Sequence, residues 1–252
     1  MNVLGDYAVS STVPVCGKEC FMLSVLSDDP IMTQAHPALG MRRANAPMKD
    51  DPFASELAIL RRDLGTLTCA CADGMAKAAQ HYRDEDLWVI GTMPGYGPLA
   101  DAVEATSRGF LANSHLSAVH TEIVANTMKM SGDLRTAARG ARQAVQIAFL
   151  LRQEQNGGAE ALNLLVPMAE AAVAVAERTA YAVQTGDETA ATQAAQAYRN
   201  VDALRIQVEK GVRNGEWDEY FTPTLRKMIR AAAWNFAVSG ESMARVAARL
   251  IL

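Results

Sequence analysis

The chain has 252 residues, 50% of them hydrophobic, and a formal net charge of −4. This length and apolar content can supply the core of one large or two small domains, which argues against disorder throughout the chain. Alanine dominates the apolar residues and aromatics make up only 6% of the chain, so closely packed helices are favoured over sheets. Domains that bind nucleic acid are usually basic, so the negative charge argues against nucleic acid as a partner.

Nothing in the sequence predicts export or membrane insertion. Residues 1–6 lack a basic region, so the apolar run at 21–26 does not form a secretory signal. The longest apolar stretch, residues 161–176, contains Pro167 and Glu170 and is shorter than the roughly 20 residues that span a bilayer. Four cysteines are too few for a disulfide scaffold. We therefore expect a soluble cytoplasmic protein.

The first half of the chain predicts an irregular segment followed by three helices. Residues 1–50 show no sustained helical period and are interpreted as an appendage. Asp51 and Pro52 are typical of a helix start, which places the first helix at 53–82. The Gly- and Pro-rich stretch 91–98 predicts a loop, a second helix follows at 99–113, and the third spans 117–153 up to a stop at 156–158.

The second half predicts three more helices, at 159–185, 188–213 and 223–252, separated by turns around Gly186 and Gly215. The last helix carries apolar residues at three- and four-residue steps, which predicts one face buried against a bundle. Those residues are Leu225, Met228, Ile229, Ala232, Phe236, Met243, Ala247 and Leu250. The third helix repeats the pattern with Ile123, Met130, Leu134, Ala137, Ala141, Val145 and Ala148.

The two halves look like copies of one unit. Ser131-Gly132-Asp133 in the third helix matches Ser239-Gly240-Glu241 in the sixth, and the stretch at 99–104 aligns with 204–209 in nearly the same register. The sequence therefore predicts an all-α protein of two tandem three-helix bundles, at 53–156 and 159–252, preceded by the irregular segment 1–50.

Six helices in two repeats resemble the PhoU-like regulators of phosphate uptake over about residues 53–252. The resemblance is carried by Leu60-Arg61-Arg62-Asp63-Leu64-Gly65-Thr66-Leu67, by Met130-Ser131-Gly132-Asp133-Leu134, and by Asp202-Ala203-Leu204 with Val208-Glu209. It implies a non-enzymatic regulator that docks on the ATPase of a phosphate transporter and on a membrane sensor kinase. It also implies a homodimer.

Members of that family carry an acidic motif on the last helix of each unit, a Glu or Asp followed four residues later by Asp, and these carboxylates bind metal clusters. In this chain Asp133 and Glu241 are the carboxylates left at the motif, and they are the candidate metal ligands. Arg135, Arg139 and Arg245 stand where further carboxylates belong. Because hard cations need several oxygen ligands and a guanidinium repels them, we expect no metal cofactor.

Five arginines on the last helices are the candidate anion- or partner-binding residues. Arg135, Arg139 and Arg142 are spaced i, i+4, i+7 and so share one stripe opposite the apolar face, and Arg245 and Arg249 repeat this on the sixth helix. Neighbouring guanidinium groups can hold a phosphate or carboxylate. Alternatively, the stripes are solvated faces whose arginines pair loosely with nearby acids such as Asp133 and Glu241.

No enzymatic motif is present. Cys16, Cys20, Cys69 and Cys71 together suggest a zinc site. Their spacing argues against it, because Cys69 and Cys71 would point about 200° apart on a helix and could not easily face one ion. His81, near a helix end, is expected to be solvated or capping. The chain has no phosphate-binding Gly-rich loop, no Gly-x-Ser-x-Gly turn, and no Glu-x-x-His ligand pair of the ferritin-like metal enzymes.

A set of aromatic residues lies at and beyond the turn into the last helix and has two interpretations, a cap on the second bundle or an anchor for a partner. Its members are Trp217, Tyr220, Phe221, Trp234 and Phe236.

The alternative to phosphate regulation is a divergent helical bundle that binds a small anionic ligand or scaffolds another protein.

Overall fold

The structure is a computed structural model that describes residues 53–84, 95–112 and 116–251. Within these ranges the chain forms six α-helices and no strand, which confirms the predicted all-α class. They are α1 (Ala54–Arg83), α2 (Tyr96–Leu111), α3 (Ala118–Gln153), α4 (Gly158–Thr185), α5 (Glu188–Arg213) and α6 (Pro223–Ile251). The predictions for residues 1–50, for the helix start at Asp51 and Pro52, and for Cys16 and Cys20 lie outside the described residues.

Helix boundaries follow local capping chemistry. Ser117 accepts a hydrogen bond from the His120 N–H and starts α3, and the Asp187 carboxylate accepts from two backbone N–H groups at the start of α5. Gly186, with φ +70°, ends α4 because glycine adopts the left-handed conformation without steric cost. Gly157, predicted to cap the end of α3, instead precedes α4 with φ +84°.

The predicted loop at 91–98 is wrong for its last three residues. The segment 91–94 lies outside the described residues, but α2 begins at Tyr96, so Gly97 and Pro98 form its first turn. A proline is tolerated there because the first N–H groups of a helix have no intrahelical acceptor. Tyr96 is buried against Gly74 of α1, where a Cβ atom would overlap the tyrosine hydroxyl.

The helices pack in two sets that share one core. α1, α2 and α3 contact one another, as do α4, α5 and α6, and α1 also packs on α4 and α3 on α6. A single cluster of buried apolar residues therefore runs through both halves, with Leu60 and Leu134 from the first and Leu165, Ile229 and Phe236 from the second. The division into separate domains at 156–159 stays a prediction.

Among the described helices, α4 alone is long and apolar enough to cross a membrane. Its most apolar 18-residue window has a mean hydropathy of 1.5. It packs against α1, α3, α5 and α6, and its buried apolar residues other than Ala182 belong to the common core. The Thr179 hydroxyl on its buried face donates to the Met243 carbonyl of α6 over 3.2 Å. We therefore interpret α4 as a core helix of the bundle.

Buried polar side chains tie α3 to its neighbours on both sides. The Tyr82 hydroxyl of α1 donates to the Ala144 carbonyl of α3 over 2.8 Å, and Ser239 of α6 donates to the Ala137 carbonyl over 3.0 Å. Such bonds satisfy groups that would be costly to bury unpaired. α3 is therefore held in a fixed position between the halves.

Candidate functional site

Arg135, one of the three candidate arginines of the first half, lies between α3 and α2. Its Nε donates to Glu104 over 2.9 Å and its Nη2 to Asp101 over 2.5 Å. The hydrogen bond to Asp101 is the main reason that the pKa of Arg135 is raised, and partial burial opposes it. Arg135 therefore fastens α2 to α3 instead of pointing freely into solvent.

The candidate arginines of the second half converge on Asp133. The Asp133 carboxylate accepts from Arg245 Nε on Oδ1 over 3.0 Å and from Arg249 Nη2 on Oδ2 over 3.1 Å. Arg245 also donates to Glu241 over 2.7 Å and to the Ser242 hydroxyl over 3.0 Å. Because Asp133 lies on α3 and both arginines lie on α6, this network is an interhelical bridge. The Asp133 side chain at its centre is only 14% exposed.

The surroundings of Asp133 and Glu241 do not fit a metal cluster. Both oxygens of Asp133 are used by guanidinium groups, and Glu241 faces the same Arg245. A divalent cation placed there would meet two fixed positive charges and too few oxygen ligands. Over the described part of the chain, no group of three His, Cys, Asp or Glu side chains comes close enough to hold a metal ion.

Arg139 and Arg142 differ from the other three candidates. Both are exposed on α3, and neither forms an ion pair with a described residue. Burial is the main reason that the pKa of the Tyr96 hydroxyl is raised. The positive charge of nearby Arg142 partly opposes this rise. These two arginines are therefore the candidate residues that remain available to a ligand or partner.

Beside this face, α3 and α6 enclose an open groove of about 760 Å³ that sequence reasoning did not predict. It is lined by Gln143, Gln146, Ile147 and Leu150 from α3, by Lys227, Arg230, Ala231, Trp234 and Asn235 from α6, and by Glu209 from α5. Trp234 is 56% exposed and Leu150 is 46% exposed. The signal was present in the sequence, because Trp234 falls outside the apolar face predicted for the last helix.

The charges that line the groove are unequal. Lys227 and Arg230 are exposed and form no ion pair with a described residue. Glu209 instead accepts from Arg205 over 3.0 Å, and Arg205 also donates to Asp202 over 2.8 Å. The one carboxylate of the groove is thus already neutralised, so the groove carries an unbalanced positive charge.

The aromatic residues of the second half divide between the two predicted roles. Phe236 is fully buried with its ring 5.0 Å from that of Tyr82, and Phe221 is buried against Trp217. Trp217 packs so closely on Gly211 that a Cβ atom there would lie 2.6 Å from its Cζ2. Trp234 and Tyr220, by contrast, are mainly exposed.

The prediction of a solvated or capping His81 is wrong. His81 is 1% exposed, because the end of α1 packs against α3, and its Nδ1 lies 3.2 Å from Nη1 of Arg152. The Arg152 guanidinium also donates to the backbone carbonyls of His81 and Asp84. It is thus this arginine from α3 that caps the carboxyl end of α1.

Cys71 is a structural cysteine. Its thiol is buried and donates to the Leu134 carbonyl over 3.5 Å, and burial raises its pKa to about 12. Cys69 is partly exposed and accepts from Gln184 Nε2 over 2.7 Å. A protonated, buried thiol is a poor metal ligand and a poor nucleophile.

Comparison with solved structures shows the fold. PhoU from Pseudomonas aeruginosa superposes on this chain with a TM-score of 0.70 over 79% of this chain and 97% of that one. The two sequences are 16% identical, so the likeness concerns the fold alone. No protein-family model matches the sequence, and no curated protein matches it. The chain has a PhoU-like fold, as the resemblance to that family implied.

Proposed function

We propose that the protein is a non-enzymatic cytoplasmic regulator of phosphate uptake that acts by docking on other proteins and needs no metal cluster to do so. The observation that carries this proposal is the bridge at Asp133, whose carboxylate is held by Arg245 and Arg249 where PhoU-like proteins place metal ligands. The PhoU-like fold supports regulation by contact with other proteins.

The resemblance to PhoU-like regulators supplies the partners of this proposal. They are the ATPase of a phosphate transporter, a membrane sensor kinase, and a second copy of this chain in a homodimer. Exposed arginines can bind carboxylates and phosphates of such partners with two parallel hydrogen bonds. Electrostatic attraction of this kind also speeds encounter and makes binding sensitive to salt.

We assign the five candidate arginines two different roles in docking. Arg139 and Arg142 contact the partner directly, because they are exposed and unpaired within the described residues. Arg135 and the α6 arginines hold neighbouring helices through their ion pairs and act on the surface only by positioning it.

Binding of the purified transporter ATPase and sensor kinase from the source organism tests the proposal. Replacing Arg139 and Arg142 together with alanine should weaken binding about tenfold at low salt, with an unchanged melting temperature, because only surface charges are lost. Arg213→Ala, an exposed arginine at the end of α5, is the matched control and should bind normally. Chelation of divalent metals should leave binding unchanged.

Two results would contradict the proposal. One is an absence of binding to both partners at micromolar concentrations, and the other is unaltered phosphate uptake after deletion of the gene. A binding loss that appears only on chelation would show that a metal mediates the contact.

The second candidate function is the binding of a small anion. Arg139 and Arg142 are three residues apart on one helix face, so their guanidinium groups can reach one phosphate or carboxylate. Titration calorimetry with inorganic phosphate separates this function from pure docking. Saturable heat that disappears in the double alanine variant supports the small-ligand function, whereas its absence leaves docking.

A further inference from the structure

We infer that the groove between α3 and α6 is a docking site for an acidic amphipathic helix of a partner protein. The inference rests on the proposed docking function and specifies the surface used and the chemistry of its occupant. It concerns residues beyond the arginine stripes, with Trp234 and Leu150 as its exposed apolar part and Lys227 and Arg230 as its charged part.

The shape of the groove suits a helix. α3 and α6 run antiparallel, since Asp133 pairs with Arg249 at one end and Gln143 lies opposite Asn235 further along. The groove spans Gln143 to Leu150 on α3, a length of about 10 Å at 1.5 Å per residue. Two helices side by side form a channel into which a third packs through residues spaced i, i+3, i+4 and i+7. The channel therefore accepts about two turns.

The apolar surface in the groove requires an apolar stripe on the occupant. Trp234 and Leu150 are each about half exposed, and Ile147 and Ala231 also line the groove. An exposed tryptophan in such a groove is typical of the residues that dominate binding energy at protein interfaces. The glutamines Gln143 and Gln146 add donors and acceptors at the rim.

The charge of the groove requires carboxylates beside that stripe. Lys227 and Arg230 have no ion-pair partner among the described residues, while Glu209 is held by Arg205. Helical spacing continues the positive charge along α3 to Arg139, one turn before Gln143. This local excess of positive charge lies on a chain whose net charge is −4, so it is a distinct feature of this surface.

Other polyanions fit the groove less well. A bilayer surface is flat and cannot follow a channel between two helices, and a long nucleic acid would be repelled by the negative chain as a whole. A helix with flanking Asp or Glu residues satisfies the shape, the apolar surface and the charge together.

Fluorescence anisotropy with the full chain tests the inference. The probe is a labelled peptide, stapled into a helix of about four turns, with leucine at i, i+3, i+4 and i+7 and glutamate on the flanks. We expect saturable binding that Trp234→Ala weakens about tenfold or more, because the large exposed tryptophan of the groove is lost. The charge reversals Lys227→Glu and Arg230→Glu together should weaken it similarly at low salt. A peptide with lysine in place of each glutamate should not bind.

Control variants separate the groove from the rest of the surface. Tyr220→Ala removes an aromatic ring that is 72% exposed outside the groove, and Arg213→Glu reverses an exposed charge outside it. Both should bind the acidic peptide as the unmodified chain does. Equal binding of the acidic and basic peptides, or of unmodified chain and Trp234→Ala, overturns the inference. Two other results also overturn it. One is that the chain binds vesicles of anionic lipid through Trp234 and does not bind the peptide. The other is that the chain self-associates and Trp234→Ala abolishes this self-association.

The outcomes distinguish this inference from the proposed function. If the chain binds the acidic helix but not the transporter ATPase or the kinase, the groove inference stands and phosphate regulation fails. If it binds those partners equally well with and without Trp234, docking stands and the groove inference fails.

Discussion

The close approach of α3 and α6 at Gly140 gives a sharp test of how the two halves are joined. A Cβ atom added at Gly140 would lie 2.8 Å from the backbone oxygen of Asn235 and would overlap the Ser239 hydroxyl. The backbone oxygen cannot move unless α6 moves, so Gly140→Ala must separate the two helices or turn Ser239 away from the Ala137 carbonyl.

The magnitude follows from three contributions. Overpacking of a core contact costs about 1–3 kcal/mol, and loss of the buried Ser239 hydrogen bond costs about 1 kcal/mol. The better helix propensity of alanine offsets about 1 kcal/mol, which nearly cancels the hydrogen-bond loss. We therefore expect Gly140→Ala to lower the free energy of unfolding by about 1–3 kcal/mol and the melting temperature by about 2–12 °C for a chain of this size.

The same substitution at Gly132 is the matched control. Gly132 lies in the same helix, is exposed, and would place its Cβ in open space. Gly132→Ala should therefore raise the free energy of unfolding by about 0.5–1 kcal/mol. Denaturant unfolding followed by circular dichroism measures both variants. If Gly140→Ala proves as stable as Gly132→Ala, the contact between α3 and α6 is not as close as described.

Three further predictions concern buried or bridging groups. Tyr82→Phe should cost about 1 kcal/mol, since the Ala144 carbonyl loses its buried donor, and unchanged stability in urea would refute that bond. Asp133→Ala should cost about 1–2 kcal/mol, and a double-mutant cycle with Arg249→Ala should show favourable coupling; a coupling of zero would mean that the bridge adds nothing. Burial raises the pKa of Cys71 to about 12, so at pH 8 iodoacetamide should alkylate this thiol only in denaturant, and rapid labelling of the native chain, read by peptide mass spectrometry, would contradict its burial.

Helix positions followed from sequence because the signals are local. Asp187 at the start of α5 and Gly186 at the end of α4 act within a few residues of themselves, so their roles could be predicted without knowing the fold. Pro98 led to the wrong prediction of a loop at 96–98, because a local signal alone does not show whether a proline lies inside a helix or in its first turn. A proline breaks a helix interior but is compatible with a first turn, and the burial of Tyr96 against Gly74 decided where that turn began.

The candidate site was harder to predict because it depends on pairs of helices. Periodicity placed Arg135 and Arg139 on one side of α3, but it could not show that α2 brings two carboxylates to Arg135 and none to Arg139. Likewise, the groove exists only because α3 and α6 lie side by side, which no single helix pattern reveals. His81 was misplaced for the same reason, since a residue near a helix end is buried when another helix covers that end.

The bridge at Asp133 has a consequence for the conditions under which this surface keeps its form. A guanidinium keeps its charge at every pH that a cell experiences, and unlike a metal ion it is not acquired from the surroundings. The joint between α3 and α6 is therefore formed by side chains of the chain itself, and the same pairs fix the position of the residues displayed beside it.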